Sequence, residues 1–343
     1  MQYQLLGRTG VYVSRICLGT MTFGGAGTPL GGALGGLPLQ EADRIVGAAL
    51  DAGVNFVDTA DVYSGGQSEE LLGQALGKRR RDVVLATKLH GRVGPGPNDV
   101  GQSRLHIMQA LEDSLRRLGT DHIDLYQIHN LDPLTPIEET LGALDDAVRQ
   151  GKVRYIGASN LAAWQVTKAL GISALNHLSG FVSLQAYYSL AGRDLEREIL
   201  PMLSDQQLAL MVWSPLAGGF LSGKFDRSGA SDASARRAKL DFPPIDRESA
   251  YEIIDVLKTV AARHEVSPAR VALAWVLAQP GVTSAIIGAR RPEQLADNLA
   301  AVDLILTGED LAELDTVSAL PASYPGWMHS YRTEQRFPQT LAL

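Results

Sequence analysis

The feature that most constrains this chain is a repeated alternation: a short β-prone run followed by an amphipathic helical stretch, eight times over. The runs are RICLGT, NFVDTA, VVLATKL, HIDLYQIH, YIGASN, FVSLQAYY, LALMVWSP and TSAIIGA, and they are mostly apolar throughout. A strand wetted on one face alternates polar and apolar residues, whereas continuous apolar character suits a parallel strand covered on both faces. After the first run, Ala42, Ile45, Val46, Ala49 and Leu50 form a helical stripe and Gly53 supplies the stop. After the third, Ile107, Leu111, Leu115 and Leu118 repeat the pattern and Gly119 ends it. FVDTADVYSGGQSEELLG passes from strand to helix in the second repeat. Later helices run through IEETLGALDDAVRQG, LAAWQVTKALGIS, REILPMLSDQQ, ESAYEIIDVLKTVAARH and PEQLADNLAAV.

Such alternation builds either an open doubly wound sheet or a closed barrel. An open dinucleotide-binding sheet requires GxGxxG after its first strand, and that spacing occurs nowhere here. Eight repeats favour closure. The expected fold is α/β, a single (β/α)8 TIM barrel over residues 1–343, a length such barrels reach as one domain. LLGRTGVYVS, ahead of the first barrel strand, reads as a β-hairpin plugging the mouth opposite the strands' carboxyl ends. Long rim loops remain at residues 217–247 and from about 320 onward, and loops of that length in a compact domain are usually functional. The stretch GGAGTPLGGALGG, residues 24–36, also lacks the GK[ST] ending of a phosphate loop and reads as a flexible loop over one mouth.

Composition narrows the function classes. With 38 acidic against 31 basic residues the net charge is -7, which disfavours nucleic acid and anionic membrane as partners. No apolar segment approaches the roughly 20 residues a membrane span needs, and MQYQLLGRTG lacks the charge and apolar pattern of a secretion signal. The single Cys17 cannot form an internal disulfide. A cytoplasmic protein is expected, with no metal site, since the seven histidines are scattered without HExxH.

In barrels of this kind chemistry sits at the carboxyl ends of the strands. Strand two ends at Asp58 with Tyr63 just beyond, strand three at Lys88 and strand four at His129. Strand five contributes Ser159 and Asn160, strand six Gln185, strand seven Trp213 and Ser214, and strand eight leads into Gly288, Ala289 and Arg290. Each has a bland reading. Asp58 suits a helix cap, Lys88 a snorkelling side chain, His129 a satisfied core histidine, Gln185 a backbone partner and Trp213 a core aromatic. Their joint placement on successive strands favours one rim site. A phenol with an ordinary pKa of about 10 is a poor acid, but an adjacent ammonium lowers that value, and a carboxylate keeps a buried ammonium charged. Asp58, Lys88 and Tyr63 would form such a chain, with His129 orienting a substrate oxygen. That set suits hydride addition to a carbonyl.

The sequence resembles the aldo-keto reductase superfamily, in its bacterial and potassium-channel-β-like branches, over essentially its whole length. FVDTADVYS, ATKLH and YQIHN match the places where that family carries its tetrad, here Asp58, Tyr63, Lys88 and His129. GASN, SLQAYY, VWSPLAGGFLSGK and IIGARRPEQLADNL match its cofactor contacts. The resemblance implies NADPH along the rim, its carboxamide held by Ser159, Asn160 and Gln185 and its nicotinamide stacked on Trp213. Ser214, Leu216 and Gly218 would approach the diphosphate, Arg290 and Gln294 the 2'-phosphate, and Asn298 the adenine. Gly19, Thr20, Met21, Asp58, Pro215, Lys224 and Gly288 complete the implied cofactor site. Ala289 stands where many members have a hydroxyl, which leaves the phosphate contact mainly to Arg290. The 217–247 loop resembles a flap over bound cofactor. Met21, Phe23, Tyr63, His90 and Tyr188 are candidates for an aromatic substrate pocket, which YPGWM, residues 324–328, either covers or flanks.

The implied function is NADPH-dependent reduction of an aldehyde or ketone, with Tyr63 as general acid. Two alternatives stay open: a channel-β-type cofactor sensor with slow turnover, and a Schiff-base aldolase using Lys88. The implied partner is a small carbonyl compound, and homo-oligomer formation is left open.

Overall fold

The computed structural model describes residues 1–26, 34, 36–230 and 236–329. Most of the Gly-rich stretch, residues 231–235 of the expected flap and the tail from 330 lie outside the described residues. An antiparallel pair, β1 (Tyr3–Leu5) and β2 (Tyr12–Ser14), precedes the barrel. The barrel follows with β3 (Ile16–Gly19), β4 (Phe56–Asp58), β5 (Val84–Leu89), β6 (Ile123–Ile128), β7 (Val153–Ser159), β8 (Phe181–Tyr187) and β9 (Ala209–Trp213). A second small pair, β10 (Phe225–Asp226) and β11 (Gly229–Ala230), comes before the last barrel strand, β12 (Val282–Ile287). The eight parallel strands close because β12 pairs with β9 on one side and β3 on the other, with Ile286 opposite Cys17.

Helices cover the outside: α1 (Leu39–Asp51), α2 (Gln67–Leu76), α3 (Arg104–Leu118), α4 (Ile137–Arg149), α5 (Ala163–Leu175) and α6 (Ile199–Gln206). After β9 come α7 (Arg236–Lys239), α8 (Arg247–Arg263) and α9 (Pro268–Ala278), and after β12 come α10 (Pro292–Leu299) and α11 (Gly308–Val317). Both expected stops occur: Gly53 (φ 86°) follows α1, and Gly119 caps α3 in the left-handed region at φ 63°.

The barrel interior changes character along its axis. Near the amino ends of the strands, Cys17, Phe56, Ala86, Leu125, Ala209 and Met211 pack with Leu6 and Val13 of the hairpin region, all essentially without exposed surface. The hairpin therefore seals that mouth, as expected. Burying Leu6 and Val13 contributes about 1.5–3 kcal/mol each. Gly7 makes the fit possible: at φ +57° a Cβ would lie 2.4 Å from the Val182 carbonyl oxygen. Strand period two then places Asp58, Lys88, Gln127 and Gln185 one layer higher, two residues beyond Phe56, Ala86, Leu125 and Ser183.

The structure departs from the sequence expectation in the segment after β9. The 217–247 region is not wholly irregular, since it holds a 3-10 turn at Ala217–Ser222, the β10–β11 pair and α7. Two helices, not one, then lead to β12. The second, α9, ends in VALAWVLA, and Val271 to Val276 are all buried, so it carries no polar face to give a helical stripe.

Candidate active site

Tyr63 opens a 3-10 turn beyond β4 whose next residues, Ser64, Gly65 and Gly66, all have positive φ. The turn is fastened at both ends: the Asp61 amide donates to the Lys88 carbonyl (3.1 Å), and the Ser64 hydroxyl donates to the Phe23 carbonyl (2.8 Å). This brings the phenol over Lys88. The Lys88 ammonium, with no exposed surface, donates to Asp58 Oδ2 at 2.5 Å, the Thr59 carbonyl at 2.8 Å and the Tyr63 hydroxyl at 3.1 Å. Asp58 Oδ1 accepts from Gln127 Nε2 (3.1 Å) and Gln185 Nε2 (3.0 Å). Every ammonium proton and both carboxylate oxygens are thus engaged, the condition under which a buried ion pair is tolerated. His129 follows β6, and its ring meets the Tyr63 ring edge-on with centroids 5.9 Å apart.

The electrostatics correct one expectation. Burial opposes charge on Lys88, yet Asp58 and Tyr63 hold the ammonium above its ordinary value. Tyr63 is raised, not lowered, because burial outweighs the downward pull of Lys88. In the protein alone the phenol keeps its proton. His129 is pushed down to about 3 by burial first, then by Lys88 and His90, so its imidazole is neutral at physiological pH.

The implied cofactor residues fall into two groups. One surrounds the tetrad. Ser159 is buried and its hydroxyl has no hydrogen-bond partner among the described residues. Asn160, in the left-handed region at φ 58°, donates to the His129 carbonyl (3.0 Å) and accepts from the Trp213 indole (2.9 Å). The Gln185 amide nitrogen is committed to Asp58. Gly19 and Thr20 belong to the barrel wall: Gly19 pairs with Asp58, and the Thr20 hydroxyl meets Ser68 Oγ at 2.9 Å. Met21 is half-buried. Trp213 lies parallel to Phe242 of the long segment, with centroids 5.7 Å apart.

The second group lines one cavity of about 340 Å³ beside the tetrad. Ser214, Pro215, Leu216, Gly218 and Lys224 come from the chain after β9, and Gly288, Arg290, Gln294 and Asn298 from the chain after β12. Gly218 has φ +69°, and a Cβ there would lie 2.4 Å from the Phe242 carbonyl oxygen. Leu34 of the Gly-rich stretch also reaches this cavity. The orphaned Ser159 hydroxyl and the cations Lys224 and Arg290 beside the Gln294 and Asn298 amides are the donors that a carboxamide and phosphates require, so the residues fit a nicotinamide dinucleotide.

Some pocket expectations do not hold. Tyr188 is fully buried on the outer face of the barrel, where its hydroxyl donates to Glu196 at 2.6 Å and its ring meets Trp275. Strand period two assigns Tyr187, not Tyr188, to the inner face. Phe23 is likewise fully buried in the core. His90 is half-buried beside Gln102, while Tyr324 and Trp327 are exposed and contact each other. The structure adds Gln127, Phe242 and Arg236. Arg236 lines the cavity, and the Coulombic field on it includes both Tyr63 and Arg290. Gln127 was readable by counting two from Leu125, whereas the ASARRAK segment carries no periodicity that would select Arg236.

A closed eight-stranded barrel with a buried carboxylate and ammonium and a half-buried phenol at the carboxyl ends of its strands belongs to the class of barrel enzymes. An Aldo/keto reductase family model matches residues 15–319, and the chain belongs to the aldo/keto reductase family of oxidoreductases. It is 42% identical over 330 residues to "Uncharacterized oxidoreductase YrpG" of Bacillus subtilis (strain 168), covering 92% of this chain and 96% of that protein. It is 39% identical over 343 residues to "Probable voltage-gated potassium channel subunit beta" of Oryza sativa subsp. japonica, covering 97% of this chain and all of that protein. It is also 36% identical over 349 residues to "Versiconal hemiacetal acetate reductase" of Aspergillus parasiticus, covering 95% and 99%. No helix among the described residues is long and apolar enough to cross a membrane.

Proposed function

We propose that this chain is a cytoplasmic NADPH-dependent reductase of aldehydes or ketones. The observation that carries the reading is the Lys88 ammonium, wholly buried and held between Asp58 and the Tyr63 hydroxyl at 2.5 and 3.1 Å. When bound, NADPH supplies a hydride to the carbonyl carbon. Tyr63 gives its proton to the carbonyl oxygen, so C=O becomes CH–OH and the phenolate stays on the protein until solvent reprotonates it. Lys88 stabilises that phenolate, and Asp58 keeps Lys88 charged as the phenol's charge changes. Neutral His129 donates a hydrogen bond to the same oxygen and aims it at Tyr63. Arg290, with Gln294, favours the 2'-phosphate of NADPH over the hydroxyl of NADH.

The relative named as a hemiacetal acetate reductase favours carbonyl reduction, and those named as channel β subunits favour a slow cofactor sensor. A Schiff-base lyase is disfavoured because a nucleophilic lysine must be neutral, and Lys88 is held charged. The test is a panel of aldehydes and ketones followed by NADPH absorbance, with NADH alongside. Consumption of NADPH over many turnovers supports the reductase. A single slow turnover on every carbonyl favours the sensor, and borohydride trapping of substrate on Lys88 favours the lyase.

A further inference from the structure

Asp61 stands in the same turn as Tyr63 and takes no part in the reaction outlined above. Its side chain is 1% exposed, and neither carboxyl oxygen has a hydrogen-bond partner among the described residues. The Tyr126 hydroxyl, also fully buried, is likewise unpartnered among the described residues. These groups share the layer between the barrel wall and the helices, because Thr87 and Tyr126 are the outward neighbours of the inward-facing Lys88 and Gln127. Glu69 of α2 lies in the same layer, but it is satisfied: it accepts from the Thr87 hydroxyl at 2.6 Å and from Arg117 Nε of α3 at 2.7 Å. Arg117 is therefore bonded to Glu69, Lys88 is bonded to Asp58, and among the described residues Asp61 is left without a cation of its own.

A buried charge stripped of its partner costs more than an unpartnered buried hydroxyl or neutral acid. The surroundings of Asp61 therefore select its neutral form. Its backbone links the two strands that carry the catalytic pair: the Asp61 amide donates to the Lys88 carbonyl at 3.1 Å, and one residue earlier the Ala60 carbonyl accepts from the Tyr63 amide at 3.2 Å.

We propose that Asp61 is a positioning residue held as a neutral carboxylic acid, and that its ionisation draws the turn off β5 and moves the Tyr63 hydroxyl away from Lys88. The direction of its proton affinity agrees. Burial first, and then Glu69, push the carboxyl up to about 7, while the charges of Arg117 and Lys88 offset this in part. On β6 the facing group is Tyr126, which also senses Asp113 of α3. The proposal rests on Tyr63 as proton donor, so its first readout is independent of turnover.

The experiment compares the full-length protein with Asp61→Asn, measuring Tm and the single-turnover rate of NADPH consumption across pH. A carboxyl raised in the folded state above its unfolded value of about 3.9 makes the parent lose stability as pH rises through that window. The Tm advantage of Asp61→Asn should therefore widen from about pH 4 to about pH 7 and then level off. The parent's single-turnover rate should fall about tenfold between roughly pH 6 and pH 8, the ratio of neutral fractions for a midpoint near 7, and the variant's should not. A Tm gap that does not change with pH overturns the neutral acid. The expected gap combined with parallel rate profiles overturns the positioning role. A parent that consumes no NADPH with any carbonyl overturns the positioning role together with the reductase reading, while the Tm gap still decides the neutral acid. If Asp61→Asn does not fold, Glu69→Gln removes the neighbouring charge and should move the midpoint of the parent's fall toward acid, and an unmoved midpoint overturns the proposal.

Discussion

Lys88 has three ammonium protons and three acceptors, and one of those acceptors is the phenol it serves. The balance at Tyr63 is set by burial, which keeps the proton on the oxygen in the protein alone. Tyr63→Phe should slow carbonyl reduction by roughly 10²–10⁴-fold, the range for a positioned general acid. Its NADPH affinity should change less than about twofold, because the lost hydroxyl bonds Lys88 and lies outside the cation-lined cavity. Near-full turnover in this variant would remove Tyr63 as the acid. Arg290→Ala should weaken NADPH by about 10–100-fold, the equivalent of a charge-assisted hydrogen bond, and leave NADH little changed. Equal losses for both, measured by calorimetric titration, would sink the 2'-phosphate contact.

The elements were unequally legible. The barrel strands were readable because continuous apolar runs and their spacing are local properties, and the hairpin because it precedes the first run. Helix α9 was not, since a helix buried on every side has no stripe. Tyr188 was misassigned although counting two from the inward Gln185 selects Tyr187: with two tyrosines in succession, a slip of one residue exchanges the barrel interior for its outer wall. The hairpin turn gives the sharpest element-scale prediction. Gly7→Ala meets both a left-handed φ and the Val182 carbonyl oxygen, and should lower stability by roughly 1–3 kcal/mol in chemical denaturation. Turnover per folded molecule should be preserved, because the turn lies at the mouth opposite Lys88. An unchanged denaturation midpoint would show that the hairpin does not bear on the barrel as described.

Across the whole molecule, the half-buried His129 and the buried Asp61 pull stability in opposite directions with pH. His129 has a folded pKa of about 3, below its unfolded value of about 6.5, so its contribution is complete above the unfolded value and is lost as pH falls toward the folded one. Asp61 acts in the opposite sense, losing stability as pH rises toward about 7. The Tm advantage of His129→Gln over the parent should therefore widen as pH falls from about 6.5 to about 4, and a gap independent of pH would place a charged, solvated imidazole at the mouth. The acid, ammonium, phenol and imidazole were all legible as polar ends of successive apolar runs. Gln127 and Arg236 were not singled out: Gln127 lies inside its strand, and Arg236 sits in a polar segment without periodicity.

The sequence by itself determined that eight strands would close into a barrel and that its polar groups would gather at one rim, because hydrophobic periodicity acts residue by residue along the chain. Only the tertiary structure decided that Gln127 and Gln185 hold Asp58, that Tyr63 keeps its proton, and that Asp61 is left without a cation. Burial and charge pairing are properties of neighbours in space, and those neighbours come from β4, β5, β6, β8, α2 and α3, far apart along the chain.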